Sequence, residues 1–275
     1  IGTRDNALWW DVLENGPASV YAEYFDIDWE QFHAAPDRKL LVPVLGDHYG
    51  LALERGEFHL VYQPQWDVQA QRVVAVEALI RWTHPVHGLI APLEFIGLAE
   101  QTGLIAPIGE WVLHTACTDA GRWQRAGHRL SVAVNVSPLQ FQNNAFVPMV
   151  QRVLRETGAP AELIEIELTE SLLIANVEQA RTTIRALKAL GLRISIDDFG
   201  TGYSSLNYLR HFAVDYLKID RSFVTDIANS PRDRAVVVAI IGLAKALDIT
   251  VVAEGVESEA QAAFFSDAQC QELQG

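Results

Sequence analysis

The chain has 275 residues, 49% of them hydrophobic, with a mean hydropathy of +0.09, enough to bury one large core or two modest ones and too apolar for disorder to dominate. Its 21 basic and 35 acidic residues leave a formal charge of −14, which argues against a nucleic-acid polymer or an anionic membrane surface as the main partner. Only Cys117 and Cys270 are present, in no zinc-type pattern, and they read as reduced thiols of a cytoplasmic protein.

Residues 1–46 carry Pro17, Pro36 and Pro43 and keep no helical or strand period, so they read as a leader of uncertain fold. Two stretches of it, WWDVLENGPASVYAEYFDIDW and KLLVPVLGDHYG, resemble a segment of maltooligosyltrehalose synthases, α-amylase-like barrel enzymes. The resemblance falls outside the acidic residues that family uses, so no catalytic role is carried over. A fused or recombined leader is expected, with packing on the following domain as the alternative, and its removal is expected to leave turnover near the full-length value. Nothing in it has the basic start and apolar run of an export signal.

From Asp47 the pattern is regular. A helical lead-in, GLALERGE, precedes eight predicted strands: 58–64, 73–80, 130–136, 163–168, 193–198, 216–220, 250–254 and 270–274. Amphipathic helices are predicted over 109–126, 176–190 and 233–247, with Gly127, Gly158 and Gly191 as stops. The apolar run Val236–Leu247 contains Lys245 and is about half the ~20 residues a bilayer span needs, so a buried helix is expected there. Strands alternating with helices imply a mostly parallel sheet, and eight units suggest a (β/α)8 TIM-like barrel. An open doubly wound sheet is the alternative, without its usual glycine-rich nucleotide motifs.

Six strands share one layout. Glu77, Asn135, Glu167, Asp197, Lys218 and Glu254 each follow an apolar residue near the strand's carboxyl end. Two positions earlier on the same face stand Ala75, Ala133, Glu165, Ser195, Tyr216 and Val252, mostly small or medium residues suited to a barrel interior. Charged side chains are seldom buried unless paired or bound to metal, and a closed barrel brings these six to one rim, where barrel enzymes place their chemistry. Taken singly, Glu77 can instead pair with Arg81, Lys218 with Asp220, and Asn135 can cap the next turn. Oxygen donors without histidine or cysteine suit a hard divalent cation and disfavour zinc or copper; His84, His87 and His114 read as surface or packing residues.

The stretch Arg193–Leu206, RISIDDFGTGYSSL, ends a strand on two adjacent carboxylates and opens a glycine-rich loop. Asp197 faces inward and Asp198 belongs to the turn. Two like charges that close persist mainly where cations neutralise them, with helix-capping aspartates as the bland alternative.

The words EALIRW (77–82), VNVS (134–137), ELTES (167–171), DDFGTGYSSL (197–206), LKID (217–220) and AEGVE (253–257) together resemble the EAL-domain phosphodiesterases, which hydrolyse the bacterial second messenger cyclic di-GMP to linear pGpG. The resemblance covers residues 47–275 and implies a barrel with one reversed strand and two Mg²⁺ or Mn²⁺ ions at its rim. It assigns Glu77, Asn135, Glu167 and Asp197 to one metal, and Asp197 with Asp198 to the second. Glu254 is a second-metal ligand or the general base, and Lys218 orients water or neutralises developing charge. Gln63 and Arg81 match substrate contacts, Glu170 holds the loop Gly200–Leu206, that loop couples the metal site to homodimer formation in the family, and Glu257 and Gln274 are further outer residues. A metal-dependent affinity for the dianionic ligand is expected of so acidic a chain. A catalytically silent cyclic di-GMP receptor is the rival reading, and a glycosyl-transferring enzyme a distant third. The resemblance also implies an aromatic residue and a final helix after Gln274–Gly275, so a tail outside this sequence is expected to cover Leu273, with another subunit or the leader as the alternatives.

Overall fold

The fold is seen in a computed structural model that describes residues 52–200, 209 and 212–275. The leader 1–46, the start of the lead-in and most of the loop Gly200–Leu206 lie outside the described residues. Within the lead-in, residues 52–54 are helical.

The described residues fall into two units, 58–82 with 105–275 and 52–57 with 83–104. The larger contains the barrel. Its strands are β1 (Phe58–Asp67), β2 (Arg72–His84, whose last two residues belong to the smaller unit), β4 (Ser131–Asn135), β5 (Ile164–Thr169), β6 (Arg193–Phe199), β7 (Tyr216–Ile219), β8 (Thr250–Glu254) and β9 (Glu272–Gln274). They are ordered β1-β9-β8-β7-β6-β5-β4-β2, and pairing of β1 with β2 closes the ring. The pairs β2–β4, β4–β5, β5–β6, β6–β7, β7–β8 and β8–β9 are parallel. Only β1 runs against its neighbours, antiparallel to both β2 and β9. The short link 68–71 suffices for the antiparallel β1–β2 hairpin, whereas each parallel pair needs a crossover, and the helices supply most of them.

All eight predicted strands form. β1 runs three residues beyond its predicted end, to Asp67, and β2 extends from Arg72 to His84. The short strand β3 (Gly88–Ile90) and helix α1 (Pro92–Gln101) lie in the smaller unit. There His84 Nδ1 accepts from the Val86 and His87 backbone N–H groups, so this histidine organises a turn.

The barrel helices follow local rules. α2 (Ile105–Arg125) buries Ile108, Val112, Ala116 and Ala120 on one stripe. α3 (Pro138–Phe141) opens with a capping box in which Ser137 and Gln140 bond reciprocally. α4 (Phe146–Thr157) ends at Gly158, whose φ of 64° is the left-handed stop expected of a glycine. α5 (Glu170–Ala175) and α6 (Val177–Ala189) follow β5; Lys188 of α6 meets Asp215 at 2.7 Å, and Asp215 also accepts from the Ile194 N–H, tying helix to sheet. α7 (Arg221–Val224), α8 (Pro231–Ala246) and α9 (Glu259–Asp267) complete the set among the described residues.

α8 corrects one expectation. The segment 236–247 is half-buried: Val237, Ile240, Ile241 and Ala244 point inward while Val236 and Val238 are exposed. Its uniform apolarity hid which stripe faces the sheet. No helix among the described residues is long and apolar enough to cross a membrane.

Candidate active site

The site grows from strand alternation. In β5, Ile164, Ile166 and Leu168 are buried on the outer face, so Glu165 and Glu167 must point into the barrel. In β7, Leu217 and Ile219 do the same for Lys218, which is completely buried. Its Nζ lies 2.6 Å from Glu254 Oε1, 2.8 Å from Glu167 Oε1, 3.1 Å from Glu77 Oε2 and 3.7 Å from Asp197 Oδ1. Four strands thus bring four carboxylates onto one ammonium group. Lys218 pairs with these rather than with Asp220, which instead caps α7.

Glu77 is held on both oxygens. Asn135 Nδ2 donates to Oε1 at 2.7 Å, and Gln274 Nε2 donates to Oε2 at 2.6 Å. Gln274 is itself fixed by Gln65 Nε2 at 2.9 Å. Burial pushes the Glu77 carboxyl up, but Lys218 and the two amides outweigh it and the net shift is downward. Glu167 goes the other way. Burial, reinforced by the charges of Glu77 and Asp197, lifts it well above the usual range despite Lys218. Glu254 is raised to about 7 by burial and by Asp197, again against Lys218. For Lys218, burial works against the charged form, but the surrounding carboxylates win and raise its pKa. Burial is the largest influence on each group, and the neighbouring charges and hydrogen bonds decide which way Glu77 and Lys218 finally move.

Asp197 and Asp198 meet through a backbone turn. Asp198 adopts φ of 54°, a left-handed conformation that aspartate tolerates better than most residues. Its N–H donates to Asp197 Oδ1 at 2.9 Å. Burial and Asp197 raise the Asp198 carboxyl. Oxygens of Asp197, Asp198 and Glu254 lie within 4.8 Å of one another. Glu167 is fully buried, and neither of its oxygens receives an aligned hydrogen bond although Oε1 touches Lys218. An all-oxygen donor set with orphaned buried carboxylate atoms fits a hard divalent cation.

The remaining expected residues scatter around this cage. Glu170, buried at the start of α5, accepts from the Gly200 N–H through Oε2 at 3.1 Å. Gln63 lies within β1, opposite Glu77, and its Nε2 donates to the Gly275 carbonyl at 3.2 Å. Arg81 is on the Glu77 face of β2, and its Nη1 donates to the Ile80 carbonyl rather than to Glu77. Glu257 is exposed between β8 and α9, where its N–H bonds Gln261; it is not brought into the cage.

Beneath the cage lies a second polar layer, in which the sequence reading placed Glu165, Ser195 and Tyr216 on the inner face but missed Arg193, Ser131 and Glu272. Arg193 Nη1 donates to Tyr216 Oη at 2.8 Å and Ser131 Oγ at 3.1 Å. Burial, helped by Glu272, raises Glu165 to about 8, and burial with Asp67 raises Glu272 to about 7. The available signal was spacing: Arg193 and Glu272 stand two residues before Ser195 and Gln274, hence on the same face. Cys117 and Cys270 are free and buried, and burial pushes both thiols up to about 12.

Comparison with known proteins gives one consistent picture. The family model for the EAL domain matches residues 49–275. The bifunctional diguanylate cyclase/cyclic di-GMP phosphodiesterase MucR of Pseudomonas aeruginosa is 46% identical over 226 residues, 82% of this chain and 33% of MucR. The cyclic di-GMP phosphodiesterase NbdA of the same organism is 44% identical over 225 residues, 82% of this chain and 29% of NbdA. The chain therefore spans about a third of the length of these curated relatives. Among solved structures, the PaMucR phosphodiesterase in complex with c-di-GMP superposes with a TM-score of 0.79 at 44% identity, covering 82% of this chain and 92% of that one. The Xanthomonas citri FimX EAL domain, also in complex with c-diGMP, gives 0.76 at 26% identity, covering 84% and 91%.

Proposed function

The chain belongs to the EAL domain family, and from that premise we propose that it is a metal-dependent phosphodiesterase that hydrolyses one ester bond of cyclic di-GMP to give linear pGpG. The observation that carries this reading is the cage itself: Glu77, Glu167, Asp197 and Glu254 converge on Lys218, and Asp198 joins Asp197 and Glu254 at the mouth.

In this reading Glu77, Asn135, Glu167 and Asp197 hold one Mg²⁺ or Mn²⁺, and Asp197, Asp198 and Glu254 face a second. When bound, such ions supply Lewis-acid charge and make water acidic enough to act as a nucleophile near neutral pH. The protein's part is positioning and proton handling. Glu254, at the mouth beside Asp197 and Asp198, accepts a proton from the attacking water. Lys218 offsets negative charge that develops on the phosphoryl oxygens. Arg81 pairs with a phosphate oxygen of the substrate and Gln63 positions it. Glu170 anchors the start of the glycine-rich loop through the Gly200 N–H.

A homodimer in the cytoplasm completes the proposal.

The test is product formation from cyclic di-GMP with Mg²⁺ or Mn²⁺, compared with Glu77→Ala. Turnover to pGpG by the natural sequence and its loss in the variant supports the hydrolase. Tight binding without pGpG would replace it with a receptor.

A further inference from the structure

The ammonium of Lys218 stands among the same carboxylates that the metal reading requires. It has three N–H donors, and Glu254, Glu167 and Glu77 lie 2.6, 2.8 and 3.1 Å away. Glu77 accepts a hydrogen bond from it, and Glu254 and Glu167 are close ion-pair partners. Asp197 stands off at 3.7 Å. The lysine side chain is 1% exposed and Glu167 is 0% exposed, so water screens neither.

We infer that Lys218 is the resident counter-ion of the metal-free site, and that loading a divalent metal is an exchange of cations in which the lysine releases Glu77 and Glu167. This rests on the metal-dependent reading of the site and adds a regulatory property to it: the lysine lowers metal affinity while keeping the cage intact between loadings.

The physical argument has two sides. Without a cation, four buried or half-buried carboxylates repel one another, and removing one partner of such a cluster leaves uncompensated charge. Lysine therefore lets the barrel fold before metal arrives. With a divalent ion in place, the same ammonium is a like charge a few ångströms from it, which weakens binding. Asp197, the farthest of the four carboxylates from the ammonium, is where the exchange starts.

The experiment is a Mn²⁺ titration of the purified chain without substrate, followed by calorimetry, on the natural sequence, Lys218→Met and Lys218→Gln. Melting temperature is read with and without Mn²⁺. The expected result is Mn²⁺ binding at least ~10-fold tighter in both variants, with lower melting temperatures without metal and larger Mn²⁺-induced rises than in the natural sequence. Variants that fold only when Mn²⁺ is present support the same conclusion. Equal or weaker Mn²⁺ binding in the variants, or failure to fold even with Mn²⁺, overturns the exchange. If the natural chain still forms pGpG in that case, the hydrolase reading survives. Absence of Mn²⁺ binding in every form overturns both.

Discussion

Gln274 Nε2 donates to Glu77 Oε2 across 2.6 Å, joining β9 to β2 although 197 residues separate them in the chain. Gln65 holds the other end of the amide, so the orientation of Glu77 depends on a two-step relay of amides. Groups that aim a metal ligand typically contribute 10–100-fold to metal affinity or activity. Gln274→Ala is expected to lower kcat/KM for cyclic di-GMP by about that ~10–100-fold. Steady-state kinetics over a range of Mn²⁺ concentrations measure it, and higher Mn²⁺ should recover part of the loss.

Glu254 is proposed to handle the proton. General-base contributions run to about 10²–10⁴-fold, so Glu254→Gln is expected to reduce kcat by at least ~100-fold. The ligand should still bind, because in the proposed reading Arg81 and the metals, not Glu254, hold its phosphates. Equilibrium binding of cyclic di-GMP alongside single-turnover hydrolysis separates the two effects.

Metal removal has a consequence for binding as well as for turnover. The chain carries −14 and the ligand two negative charges, so chelation is expected to abolish pGpG formation and to weaken cyclic di-GMP binding at least ~10-fold. Calorimetry with and without EDTA checks the second point, and equal affinities would contradict the electrostatic account.

The buried acids predict an unusual dependence of metal-free stability on pH. Burial, with the charge of Glu272, raises Glu165 to about 8, and burial with Asp67 raises Glu272 to about 7. A carboxyl whose folded pKa is raised binds more protons in the folded state than in the unfolded one. Its stabilisation is complete below the unfolded pKa, near 4.5, and is lost as pH rises through 7 to 8. The melting temperature without metal is therefore expected to fall between pH 6 and pH 8.5, by ~4 °C or more. Glu165→Gln should flatten the slope, as followed by thermal unfolding in matched buffers.

How much of this was legible in the sequence follows from which interactions are local. Residues 164–169 alternate Ile, Glu, Ile, Glu, Leu, Thr, and a period of two on a strand commits Glu165 and Glu167 to one face wherever the strand lies. Gly158 marked a helix end by backbone sterics. The inward set Glu77, Asn135, Glu167, Asp197, Lys218 and Glu254 came from the same local rule, and its convergence from the closure that eight strands imply. Strand direction was another matter. β1 and β2 are joined closely enough for either a hairpin or an irregular link, and only the family resemblance implied a reversed strand.

The sequence by itself determined which side chains share the barrel's inner face, because alternation along a strand is set by the covalent chain. The tertiary structure alone decided that Lys218 takes Glu77, Glu167 and Glu254 as partners in place of Asp220, and that Arg193 and Tyr216 form a polar floor beneath them. Those choices depend on distances across a closed ring between residues remote in sequence, and on burial that strengthens every charge inside it.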